Sequence, residues 1–171
     1  AMLAGAGLEA SGFIQPAAYA PETYVNDPIL LKPLADLPLI ERAAAAEALA
    51  GNMRKHVVYA VSEGRATAAL ASVSDASLVP VLHRQPAKPL AEALRGGRLQ
   101  VGIEGFDASF PVSPRATAVT ARIDGERSLA TIAADLCVAD PALSAETALW
   151  LVRDTFGFLN GLNLALLQTP A

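Results

Sequence analysis

Arg54, Lys55 and His56 stand side by side and form the densest positive run in a chain whose formal net charge is −4. Two fixed cations next to a titratable imidazole are the side chains that would receive an anionic ligand or a partner's acidic surface. The plainer reading is a strand entrance facing water, which is how short charge runs usually behave. Trp150 is the other candidate contact. It precedes Leu151 on an apolar stripe, and an indole at such a margin either anchors a partner or closes the edge of the core.

No other residues are spaced for catalysis, cofactor binding or metal ligation. His56 and His83 are far apart, and Cys137 is the single cysteine, so neither a metal cluster nor an internal disulfide is expected. Cys137 follows Leu136 on the core side of a helical pattern and reads as a buried, inert thiol. Gly5-Ala6-Gly7-Leu8-Glu9-Ala10 fits the loose glycine pattern of a dinucleotide loop. Such a loop needs a strand before it, and too few residues precede Gly5 to supply one, so a helix end is expected. Asp124, Glu126 and Arg127 are placed to pair across a turn, a structural role.

The composition narrows the function classes. The chain has 171 residues, 53% of them hydrophobic and 18% charged, enough apolar content for a packed core. A sequence pI of about 5.1 gives a surface that repels phosphate, so no nucleic-acid partner is expected. No apolar run approaches the roughly 20 residues that span a bilayer, and the N-terminus lacks the charged start of a secretion signal. No membrane association and a cytoplasmic location are the expectation, in keeping with the lone cysteine.

The positioning elements follow from local pattern. Ala1 to Leu8 reads as the end of a helix, and Ser11 to Gln15 as a short strand. Pro16, Pro21, Pro28, Pro33 and Pro38 confine 19–37 to turns and short helices. Leu39 to Ala50 is proline-free and alanine-rich, a helix with Ile40, Ala44, Glu47 and Ala48 at helical spacing, ended by Gly51-Asn52. Arg54 to Ser62, with Val57, Val58, Tyr59 and Val61, reads as a strand closed by Gly64.

Residues 65–76 are small and polar, a connection between a first unit at 1–64 and a second at 77–171. Pro80 marks Leu78 to Leu82 as an edge segment, and Leu90, Ala91 and Leu94 mark a short helix ended by Gly96-Gly97. Leu99, Val101 and Ile103 alternate into a Gly105-Phe106-Asp107 turn, with Phe110 and Val112 on the return. Three helices follow. Ser113-Pro114 starts one with Ala116, Val119, Thr120 and Ile123 on one face. Asp124-Gly125 stops it, and Ser128 caps the next, with Leu129, Ile132, Ala133 and Leu136. Ser144 caps the third, whose stripe is Ala148, Leu151, Val152, Thr155 and Leu159 until Asn160-Gly161. Leu162, Leu164 and Leu166 alternate as a closing strand.

The fold class expected is therefore α+β: a helix-rich N-terminal segment with one or two strands, then a winged-helix-like unit of hairpin, three helices and closing strand. The second unit can bury Ala116, Val119, Ile123, Leu129, Ile132, Leu136, Leu151, Val152 and Leu159 by itself. In the first, Phe13, Ile14, Leu30, Leu31, Leu34 and Val57 need cover, expected from the second unit or from another copy of the chain in a homodimer.

From Leu3 to Val61, LAGAGLEASGFIQPAAY and then DPILLKPLADLPLIERAAAAEALAGNMRKHVVYAV resemble the last helix and strand of a class I SAM-dependent methyltransferase and its appended methyltransferase regulatory domain. From Leu99, RLQVGIEGFDASFPVSPRATAVTARIDGERSLATIAADL resembles the winged-helix C-terminal unit of such proteins. More distantly, Ile123 to Ala133 is similar to the IDG-x-x-[ST]-L-x-x-I-A pattern of the PqqD-like peptide-recognition fold. The resemblance implies a C-terminal fragment of a methyltransferase. SAM belongs to the parent's catalytic domain, upstream of Leu3, and no catalytic residue carries over to this chain. It implies a noncatalytic accessory module that positions substrate or partner for that domain. The alternative is an independent winged-helix module that takes a peptide or protein segment on its hairpin edge.

Overall fold

The computed structural model describes residues 2–103 and 105–170 and is an α+β protein with small two-stranded antiparallel sheets. By its contacts the chain divides into two compact units, 1–70 with 101–108, and 71–100 with 109–171.

In the first unit a short helix, α1 (Met2–Gly5), leads into β1 (Leu8–Phe13), which pairs antiparallel with β2 (Val58–Ser62) from Leu8 opposite Ser62 to Phe13 opposite Val58. Between Ala10 and Gly12 the register shifts by a bulge, and the buried Ser11 there donates its hydroxyl to Tyr59 O at 3.2 Å. The strand thus starts at Leu8, earlier than the expected Ser11, because pairing rather than local apolarity defines its ends. Prolines then impose 3-10 turns at Pro16–Tyr19, Pro21–Thr23 and Lys32–Leu34, with the four-residue helix α2 (Pro28–Leu31) capped by Asp27. Each proline sits at the first or second helical position, where its missing N–H costs nothing.

The helix α3 (Leu39–Ala50) has the expected bounds and ends on Gly51 at φ +70. Its buried face is not the expected one. Ala43 and Ala46 are buried against the first two 3-10 turns, while Ile40, Ala44, Glu47 and Ala48 are exposed. An alanine-rich helix carries little apolar asymmetry, so its partner selects the face. Arg42 adds a contact from the side, donating from Nη2 to both carboxylate oxygens of Glu22 at 2.7 and 2.6 Å. Phe13 is buried within its own unit, stacked on Tyr19, so it needs no outside cover; Leu30 and Val57 remain exposed and Ile14 half-buried.

In the second unit β3 (Val79–Leu82) pairs antiparallel with β6 (Ala165–Gln168), Pro80 lying opposite Leu167. Proline is accommodated because β3 has one strand neighbour in its sheet. The closing strand starts at Ala165, later than expected, since Asn163 turns the chain at φ +57. The helix α4 (Ala87–Leu94) buries Leu90, Ala91 and Leu94. A hairpin follows, β4 (Arg98–Ile103) and β5 (Phe106–Pro111), whose base lies in this unit and whose distal part, 101–108, counts with the first. Phe106 and Asp107, expected in its turn, belong to the second strand; the left-handed Gly105, φ +81, turns the chain before them.

Three helices, α5 (Ala116–Thr120), α6 (Leu129–Ala139) and α7 (Ala145–Gly161), complete the unit. The first is shorter than its pattern suggested: Ser113 Oγ accepts the Arg115 N–H at 3.3 Å, ahead of the helix. Ser128 and Ser144 cap the other two through the N–H groups of Thr131 and Thr147. The backbone at 76–78 also serves α6, accepting the Ala130 and Leu129 N–H groups at Ala76 O and Leu78 O, both at 2.9 Å. All nine residues expected to form this unit's core are buried, joined by Phe156, Leu162 and Ala165. Each buried valine, leucine, isoleucine or phenylalanine among them stabilises by about 1.5–3 kcal/mol.

Candidate functional site

The run Arg54, Lys55 and His56 lies in the irregular segment between the Gly51 turn and Val58, not on a strand as expected. Strand pairing ends where Phe13 meets Val58, with one further backbone bond from Ile14 N to Val57 O. All three side chains are exposed. One His56 ring nitrogen is hydrogen-bonded, Nδ1 at 3.2 Å from the Tyr19 hydroxyl, and the other, Nε2, lies 3.6 Å from Glu47 Oε1. Tyr19 closes a 3-10 turn, and Glu47 stands in the last part of α3. When protonated, His56 forms an ion pair with Glu47; when neutral, its tautomer decides which way the Tyr19 bond runs. Among the described residues no ion pair includes Arg54 or Lys55. The arrangement is an oriented imidazole beside two uncommitted cations, suited to contact with an anionic group.

Nothing in the sequence ties Tyr19 or Glu47 to His56. Tyr19 is 37 residues from His56, and no spacing rule connects positions so far apart. Their juxtaposition follows from α3 packing on the 3-10 turns.

Trp150 belongs to the second unit, on α7, and is 59% exposed, available to a partner and not part of the core margin. Arg153 on the same helix is committed: Nε and Nη2 donate to Val73 O and Ser74 O at 2.8 and 2.9 Å. Cys137 is half-buried rather than buried. The Asp124 turn is a structural clamp. Oδ1 accepts the Glu126 and Arg127 N–H groups at 3.0 Å, and Arg127 bridges Asp124 and Asp135 at 2.8 and 2.6 Å. The Arg127 backbone N–H is the main cause holding the Asp124 carboxyl down to about 2, against a desolvation that raises it.

At the glycine-rich start the order is helix, turn at Gly7 (φ +67), then strand, the reverse of a phosphate loop. Among the described residues no group of three or more His, Cys, Asp or Glu is placed to hold a metal ion, and no helix is long and apolar enough to cross a membrane. No protein-family model and no curated protein matches this chain.

Proposed function

We propose that this chain is a noncatalytic accessory module of a SAM-dependent methyltransferase that positions substrate or a partner for the catalytic domain. The reading starts from the resemblance of Leu3 to Val61 and of the segment from Leu99 onward. The observation that supports it is the set of large aliphatic side chains that the first unit leaves exposed. Phe13 and Ile103 are buried with Ala18, Ala43 and Ala46, while Ile29 and Ile40 are 83% and 56% exposed and Leu30, Leu39 and Leu49 are exposed too. So many exposed aliphatic side chains in one unit suit a surface that another protein covers. Arg54, Lys55 and His56 give that unit its anion-facing contact. The cofactor of the reaction is SAM, held by the parent's catalytic domain, in a cytoplasmic setting. The second unit, with the base of the hairpin, three helices and closing strand, takes the winged-helix role.

Calorimetry with SAM tests the reading on this chain: no heat of binding is expected, and a micromolar SAM site within residues 1–171 would sink it. The open reading frame that encodes the chain gives an independent check, with a glycine-rich SAM loop expected upstream of Leu3. A second reading, an independent winged-helix module that binds an extended peptide, is favoured by the hairpin: β4 and β5 form a sheet with no third strand among the described residues, and strand addition takes place at such an edge.

A further inference from the structure

A hollow of about 120 Å³ opens in the second unit where α5, α6, α7 and the turn between the last two meet. Ala118, Leu136, Leu143 and Leu151 give it an apolar wall, and Leu136 and Leu151 are buried. Arg115, Arg122 and Asp140 line it with charge. An apolar cavity of roughly 150 Å³ stays dry and takes benzene, so this hollow has room for a slightly smaller group, roughly four or five carbons.

The charges select the other end of the ligand. Arg115 Nη2 stands 3.5 Å from Asp140 Oδ2, and these two cancel. Arg122 donates from Nη1 to Ala118 O at 2.7 Å, which anchors its planar fork, and no carboxylate pairs with it among the described residues. The rest of the guanidinium's N–H donors stay in the geometry that a carboxylate accepts bidentately. One uncompensated positive charge thus stands beside a compact apolar hollow. We propose that this hollow is a binding site for a small branched aliphatic carboxylate, its hydrocarbon end against Leu136 and Leu151 and its carboxylate on Arg122.

Titration of the full chain with 4-methylpentanoate, followed by methyl NMR of Leu136, Leu143 and Leu151, tests the site. Saturable shifts with a low-millimolar Kd are expected, as suits so few ligand atoms, and the neutral isostere 4-methylpentanamide should bind at least about tenfold more weakly. Arg122→Gln should weaken the carboxylate by a similar factor at unchanged Tm, and Ala139→Leu, at an exposed position lining the hollow, should remove binding by filling it. Equal binding of acid and amide, retained affinity in Arg122→Gln, or no saturation by about 50 mM ligand would overturn the proposal. If a variant melts early, the acid-against-amide comparison on the unaltered chain decides alone.

Discussion

The ring of Phe13 lies on the ring of Tyr19, with centroids 3.7 Å apart and planes at 17°. The last residue of β1 and the last of the first 3-10 turn are thereby joined, and the same tyrosine meets His56 at its hydroxyl. A double-mutant cycle with Phe13→Leu and Tyr19→Leu should give a coupling of about 0.5–1.5 kcal/mol by chemical denaturation. A coupling indistinguishable from zero would mean that the two rings are merely neighbours.

Stability should fall on acidification as Asp124 protonates. Its folded carboxyl sits at about 2, below the roughly 3.9 of an unfolded aspartate. Its contribution is therefore present above about pH 4 and lost as pH falls toward 2. Asp75, lowered by the hydroxyl and N–H of Ser77, acts in the same direction. Urea midpoints measured at pH 5 and pH 2.5 should differ less for Asp124→Asn than for the unaltered chain, leaving the Asp75 part. An unchanged difference would place the acid sensitivity elsewhere.

Among the described residues the buried hydroxyls of Thr120 and Thr155 find no hydrogen-bond partner. Replacing either with valine keeps the shape and removes an unsatisfied polar atom. Thermal melts of Thr120→Val and Thr155→Val are expected to show equal or greater stability, by up to about 1 kcal/mol. A loss of that size would reveal a bond that the hydroxyl makes.

Ser128→Ala and Ser144→Ala should each cost about 1 kcal/mol, because each serine oxygen accepts an otherwise unpaired N–H at the start of α6 or α7. Ser113→Ala should cost less, since Ser113 accepts from Arg115, ahead of α5. Equal losses at all three sites would contradict this ordering.

Arg153→Met keeps most of the side chain's length and deletes two charged donors to Val73 O and Ser74 O. Hydrogen exchange at 72–76 should speed up, with a stability loss of about 1.5–3 kcal/mol. Unchanged protection of that segment would show that it is held by other contacts.

What the sequence determined by itself lies where the signal is local. Serine before an apolar helical stripe placed the starts of α6 and α7, the asymmetry of those stripes picked out Leu129, Ile132, Leu151 and Leu159 as core, and prolines kept 19–37 out of long helices. Capping, periodicity and fixed φ act over a few residues, so a single chain shows them. Tertiary structure decided what such signals leave open. The bounds of α3 were legible, but its face was not, because alanine on every side gives no preference until Ala43 and Ala46 meet the 3-10 turns. The ends of β1 and β2 depended on a pairing across some fifty residues, and the hairpin turn on one left-handed glycine. His56 was visible as a candidate, whereas its partners Tyr19 and Glu47 were not, and neither was the hollow of Arg122, Leu136 and Leu151. These are distances between segments remote in sequence, and packing sets them.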